Sequence, residues 1–256
     1  MASKVPVGLQ LFSVRHDCEK DGGKNFPNVV KTVANYGYTG VEFAGYYGWE
    51  ARDIRRVLDD NHLACCGTHV GIQTLLGDEL EKSVEFHRAI GNRFLIVPGL
   101  PKEYCDSIAA WAKTADLFNQ IAEHLRPHGM YTGYHNHSHE FHAIKGQVPW
   151  DVFSSKTRKD VVMQLDIGNA IDGGADCAAL LNKYPGRGLT IHIKEYGGPP
   201  EAVVGEGEVD WKALLPVLEA KSGAQWYIIE HERDPHRALA DAGKCLVNFR
   251  RMLAEV

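Results

Sequence analysis

Four histidines, His135, His137, His139 and His142, fall within eight residues of the stretch YTGYHNHSHEFH at 131–142, beside one carboxylate, Glu140. The residues ahead of them suit a β-strand running into a loop, and on a strand alternate side chains share a face. His135 and His137 then project together, while Asn136 points to the other side. Neutral imidazole is a good ligand for divalent metals and titrates near physiological pH, so paired imidazoles next to a carboxylate suit metal binding or proton transfer.

Other apolar runs end in residues of the same kind. VPVGLQLF (5–12) carries Gln10, with Arg15 just beyond; TGVEFAG (39–45) carries Glu42; HLACCGTHVG (62–71) carries His69. Later, VVMQLDIGN (161–169) supplies Gln164, Asp166 and Asn169, LTIHIKE (189–195) supplies His192, Lys194 and Glu195, and QWYIIEHE (225–232) supplies Glu230 and Glu232. A charge inside an apolar strand costs on the order of several kcal/mol unless it is paired or metal-bound. Its recurrence from strand to strand points to one shared mouth. Asp166, His192 and Glu230, with Glu140 after the fifth strand, form a candidate ligand set of carboxylates and one imidazole with no thiolate. That set suits one divalent cation, Mn²⁺, Mg²⁺ or Co²⁺, with Zn²⁺ also open. Gln10, Arg15, Glu42, His69, Asn136, Gln164, Asn169 and Lys194 are candidates to bind a polyol substrate, and Tyr46, Tyr47, Trp49 and Tyr196 to wall it.

These runs need elements to hold them. Each is followed by a helical pattern: Val29, Val30, Val33 and Tyr36 before Gly37; a charged helix over 50–61; 78–90 stopping at Gly91; and a long helix over 105–125 built on Trp111, Ala115, Phe118 and Leu125. Helices near 175–183, 211–220 and 236–253 complete the alternation. Eight strand-then-helix units with no break between them close most simply into a single α/β (β/α)₈ TIM barrel domain over 1–256, whose site lies at the C-terminal ends of the strands. An open doubly wound sheet fits less well, because the first βα turn, SVRHD, has no G-x-G-x-x-G.

Composition narrows the function classes. The net charge of −5 gives no electrostatic support to a nucleic-acid partner. Six scattered cysteines form no C-x-x-C pair, so neither a disulfide framework nor a thiolate zinc site is expected. No segment has the roughly 18 apolar residues of a membrane span. The expectation is a soluble, cytoplasmic protein with a small carbohydrate substrate and no nucleic-acid or membrane partner; homo-oligomerisation is left open.

LDIGN at 165–169, IHIKE at 191–195, GEGEVDW at 205–211 and IIEHE at 228–232, following YHNHSHEF, together resemble the xylose-isomerase-like barrels grouped as sugar phosphate isomerases/epimerases. The resemblance implies one divalent cation at the barrel mouth on Asp166, His192 and Glu230. In the epimerases of that group a fifth-strand glutamate is both ligand and proton-transfer residue, paired across the substrate with the eighth-strand glutamate. Here His135 stands in its place and the nearest carboxylate is Glu140, five residues on. Either Glu140 curls back to complete the metal shell while His135 or His137 acts as base, or fewer protein groups and more water make the shell.

The expected function is a metal-dependent isomerase or epimerase that removes a proton beside the carbonyl of a keto sugar, with His135, His137, Glu140 and Glu230 as catalytic candidates. A lyase dehydrating a keto-inositol or keto-glycoside is the alternative the YHNH type implies. An apurinic endonuclease or a non-catalytic sugar-binding barrel fits less well. Glu201, Glu206 and Glu208 in the glycine-rich loop argue against a phosphate requirement.

Overall fold

Every strand of the sheet is apolar enough to be covered on both faces, and all eight pair in parallel. The computed structural model describes residues 3–256. Its strands are β1 (Val7–Gln10), β2 (Gly40–Phe43), β3 (Ala64–His69), β4 (Phe94–Val97), β5 (Tyr131–His135), β6 (Val162–Gln164), β7 (Thr190–Ile193) and β8 (Trp226–Ile229). The principal helices between them are α1 (Phe26–Tyr36), α2 (Ala51–Asp60), α3 (Asp78–Ile90), α4 (Ile108–Leu125), α5 (Pro149–Lys156), α6 (Cys177–Lys183), α7 (Trp211–Lys221) and α8 (Ala238–Leu253). The sheet order is β6-β5-β4-β3-β2-β1-β8-β7. At the seam, β6 meets β7 through one parallel bridge, Asp166 to His192, with Met163 N donating to Arg187 O at 2.8 Å and His192 N to Leu165 O at 2.9 Å. The architecture is the expected TIM barrel.

Local chemistry sets the boundaries. Pro27 sits in the first turn of α1 and Gly37 ends it in the left-handed conformation, φ 99°. Ser107 Oγ accepts from Ala110 N at 3.1 Å, which starts α4 at Ile108 rather than in the 105 region; Lys102–Cys105 forms a separate short helix. β6 is shorter than its apolar run because Asp166 caps a short helix, Ile167–Asp172, accepting from Asn169 N at 2.7 Å. The six cysteines are free, five of them buried. Among the described residues no helix is long and apolar enough to cross a membrane.

Two irregularities shape the barrel interior. Register between β2 and β3 shifts after Val41, so Glu42 lies opposite Gly67 instead of Cys66. Any Cβ at Gly67 would collide with Glu42 Oε1, so this glycine makes room for a carboxylate inside the barrel. The second is His87, buried under the β2 and β3 loops, where Nδ1 donates to Ser83 O at 2.6 Å and Nε2 accepts from Thr68 Oγ1 at 2.9 Å and Tyr46 OH at 3.0 Å. Burial lowers its pKa from 6.5 to about 4. The unfolded chain therefore takes up a proton at a pH where the folded chain resists it, and stability falls as the pH drops from about 6.5 toward 4. Between pH 7 and 5 this group should cost about 2 kcal/mol. Urea unfolding of the wild type and of His87→Gln at both pH values checks this: the variant should lose less stability on acidification.

Candidate metal centre and active-site cavity

Glu42, at the end of β2, is fully buried and surrounded by donors. Gln10 Nε2 reaches its Oε2 at 2.7 Å, Gln164 Nε2 its Oε1 at 2.8 Å and His192 Nε2 its Oε2 at 2.6 Å, with His69 Nε2 at 3.3 Å. Burial disfavours charge on Glu42, but His69 and His192 outweigh it and hold the carboxyl below its usual range. Gln164 is the second hub: its Oε1 accepts from His69 Nε2 at 2.8 Å and from His135 Nδ1 at 3.1 Å, while its Nε2 also meets Thr190 Oγ1 at 2.9 Å.

This platform fixes two imidazole tautomers. With Nε2–H committed to Glu42, His192 presents the lone pair of Nδ1 upward; with Nδ1–H committed to Gln164, His135 presents Nε2. Burial, reinforced by His192 and His69 alongside, pushes the His135 pKa well down, which keeps that ring neutral. His135, Asp166, His192 and Glu230 each offer one ligand atom, and the four lie within 4.8 Å of one another. All four residues are buried.

A divalent cation fits this quartet on independent grounds. Asp166 Oδ2 and His192 Nδ1 are both buried and make no well-directed hydrogen bond, yet lie 3.6 Å apart in the quartet. Asp166 uses its other oxygen to cap the helix that follows, so one carboxylate positions backbone while its second atom stays free. Glu230 Oε2 lies 2.8 Å from the same His192 Nδ1. Burial opposes a positive charge on His192, but Glu42, Asp166 and Glu230 override it and raise its pKa well above the usual value. A field that would hold a proton there also suits a cation. Two imidazoles and two carboxylates match Mn²⁺, Co²⁺ or Zn²⁺ better than an all-oxygen ion.

Above the quartet opens a cavity of about 640 Å³ whose lining combines the polar His69, His135, His137, Glu230 and Glu232 with the apolar Phe12, Val70 and Pro98. Its volume suits a small organic ligand. His137 stands at the rim with its ring 5.2 Å from that of His135. Lys194 Nζ bridges Glu230 Oε1 at 2.8 Å and Glu232 Oε1 at 2.7 Å. Arg15 donates to Phe12 O at 2.6 Å, stacks over the Phe12 ring and lies 3.6 Å from Glu232.

Several residues read as site groups from the sequence sit elsewhere. Glu140 does not join the quartet. The turn at His139–Phe141 folds it back into the protein, where its carboxylate accepts from Tyr134 OH at 2.6 Å and His137 N at 2.8 Å and pairs with His139 Nε2 at 3.0 Å. Burial disfavours the ionised form, but His139 and Tyr134 outweigh it and hold the carboxyl below its usual range. Gln10, Glu42 and Gln164 lie beneath the cluster as its support, not at the cavity wall. Asn136 is fully buried, tying β5 to β6 by accepting from Asp166 N at 2.8 Å and donating to Asp166 O at 3.2 Å, and Asn169 Nδ2 reinforces it by donating to Asn136 O at 3.2 Å. Glu195 turns away from the mouth to clamp the following loop through Tyr196 N, Gly205 N, Val209 N and Trp211 Nε1. Tyr46, Tyr47 and Trp49 pack against the core beside Phe26, Phe43 and Phe86. Phe12 was missed: the 3₁₀ turn Leu11–Val14 after β1 puts it over the cavity, and a single apolar residue closing an apolar strand carries no signal of that turn.

Because Glu42 fixes the tautomer of His192, Glu42→Gln should weaken divalent-ion binding about 10–100-fold. Titration of Mn²⁺ into the two proteins, followed by calorimetry, reads this directly; equal affinities would mean that Glu42 only fills space.

The sequence pattern of the xylose isomerase-like TIM barrel family matches residues 30–248. Over 98% of its length the chain is 24% identical to inosose dehydratase of Serratia proteamaculans, covering 97% of that protein. It is 23% identical to inosose dehydratase of Clostridium beijerinckii, with 98% of this chain and 97% of that one covered. Among solved structures, a sugar phosphate isomerase/epimerase from Parabacteroides distasonis superposes with a TM-score of 0.83 at 21% identity, over 97% of this chain and 96% of the other.

Proposed function

Because the chain belongs to the xylose isomerase-like TIM barrel family, we propose that it dehydrates a small uncharged polyhydroxy ketone, a keto-cyclitol or keto sugar, starting with removal of the proton beside the carbonyl. The observation that carries this reading is the convergence of His135, Asp166, His192 and Glu230, with two of their buried atoms lacking a well-directed hydrogen bond, at the floor of an open cavity. These four residues would hold one divalent cation, which when bound supplies Lewis-acid stabilisation of charge developing on the substrate's carbonyl oxygen.

The remaining work falls to the chain's own groups. His137 is the base. It faces the cavity and is not tied to the interior platform, and burial lowers its pKa, so that its ring is neutral and ready to accept a proton at neutral pH. Glu140 steadies it by holding the backbone N–H of His137 itself. In the reaction the C–H bond beside the carbonyl breaks and its proton moves to the His137 ring. The C–O bond of the hydroxyl one carbon further then breaks, and the hydroxyl leaves as water with that proton. Lys194 keeps Glu230 and Glu232 apart in charge and holds Glu230 ionised: burial opposes the Glu230 anion, but Lys194 and His192 override it. Arg15 and Lys194 are both engaged by carboxylates and neither is free to await a phosphate, which favours an unphosphorylated substrate.

Elimination is favoured over epimerisation because the fifth strand ends in His135 and the neighbouring Glu140 is turned into the protein, so that β5 presents an imidazole and not a carboxylate to the substrate opposite Glu230. The full-length likeness to inosose dehydratases supports the same choice. Isomerisation or epimerisation is the second reading, favoured by the fold shared with a sugar phosphate isomerase/epimerase. Incubating the Mn²⁺-loaded protein with free keto-inositols and ketoses, and following the products by NMR and ultraviolet absorbance, separates them. An unsaturated or dicarbonyl product is expected; a stereoisomer formed without loss of water would overturn the dehydratase reading.

A further inference from the structure

Away from the cavity, on the outer surface of the barrel, a second group of metal-type ligands is brought together from two helices. His124 lies in the last turn of α4, and His128 follows four residues later in the 3₁₀ turn Arg126–His128. Glu81 belongs to the first turn of α3. Ligand atoms of the three lie within 4.8 Å of one another, and all three side chains are exposed. We propose that Glu81, His124 and His128 form a second cation site that takes Zn²⁺ or a similarly imidazole-preferring ion and bridges α3 to α4.

The donor set argues for that class of ion. Two imidazoles and one carboxylate with open positions left for water are a three-ligand zinc arrangement, whereas Mg²⁺ and Ca²⁺ require mostly oxygen. His124 Nε2 already lies 2.7 Å from Glu81 Oε1, a contact that requires a shared proton, and the His124 and His128 rings are 6.0 Å apart. A bound ion would take the Nε2 position that now hydrogen-bonds Glu81, the ring keeping its N–H at Nδ1. One neighbour opposes the ion: Arg88 Nη2 sits 2.9 Å from His128 Nδ1, donating into the lone pair that a metal would use. Arg88 therefore sets the affinity of the site through both its charge and its hydrogen bond.

Dialysis of the whole protein against micromolar free Zn²⁺ and, separately, Mn²⁺, with elemental analysis and circular dichroism, tests this. The double variant His124→Gln/His128→Gln should bind one fewer Zn²⁺ per chain than the wild type, and the same amount of Mn²⁺, whatever the occupancy of the inner quartet. Equal Zn²⁺ counts in the two proteins would overturn the proposal. Arg88→Ala supplies a check that loss of folding cannot mimic: it should tighten the surface site by about 10-fold, the order expected from removing one positive charge a few ångströms from a divalent ion in a solvated setting. Unchanged or weaker Zn²⁺ binding in Arg88→Ala would also overturn it.

Discussion

Asp166→Asn should abolish stable Mn²⁺ binding and lower dehydration of a keto-polyol by about 1,000-fold or more, a larger effect than the 10–100-fold expected from groups that only orient a ligand. The asparagine carbonyl can still cap the Ile167–Asp172 helix as Asp166 Oδ1 does, so the fold should persist. What changes is the second atom: an amide N–H replaces Oδ2 and points its positive end at the cation position. In metal-free protein Asp166 is the most distant of the three buried carboxylates around His192, at 3.6 Å against 2.8 Å for Glu230 and 2.6 Å for Glu42. Glu42 and Glu230 still pair with the ring in the variant, so its unfolding midpoint should stay close to that of metal-free wild type. Thermal unfolding with and without Mn²⁺ reads this contrast: wild type should gain stability from the ion and Asp166→Asn should not. Parallel losses of stability in both states would assign Asp166 to the fold alone.

His137→Gln should lower the rate at which the carbon beside the ketone exchanges its hydrogen for solvent deuterium by about 10²–10⁴-fold, the usual contribution of a positioned general base. Mn²⁺ affinity should stay at the wild-type value, because His137 is outside the quartet. His135→Gln should differ: it removes a member of the quartet and the ring that Gln164 orients, so metal affinity falls together with exchange. Exchange at wild-type rate in His137→Gln would move the base to a carboxylate, Glu232 being the cavity-lining group free of the quartet.

The barrel was legible in the sequence from its eight strand-then-helix alternations, and three members of the quartet from a separate physical reason. A charged residue in a strand covered on both faces is so costly that Asp166, His192 and Glu230, at the ends of apolar runs, had to share a purpose. His135 was legible as a site residue, but its place among ligand atoms depends on Gln164 holding Nδ1, a contact between residues 29 apart that no local pattern encodes. Depth along the barrel was not legible either. Alternation assigns Gln10 and Glu42 to the interior but does not say that they lie beneath the cluster, a level set by the β2–β3 register shift and the space beside Gly67. Glu140 misled because sequence proximity to the histidines says nothing about the 3₁₀ turn that carries it back to Tyr134. The aromatic residues at 46–49 misled likewise, since a loop packed against Phe26 and Phe86 reads in sequence like a loop facing solvent.

Anomalous diffraction from a Mn²⁺-soaked crystal, combined with elemental analysis of the same preparation, bears most directly on the metal centre. The expected result is one strong peak per chain at the floor of the cavity, within bonding distance of His192 Nδ1 and Asp166 Oδ2, with Glu230 and His135 completing the protein ligands and Glu140 still bound to Tyr134 and His137. A peak elsewhere, three ions per chain, or Glu140 swung into the coordination shell would contradict it.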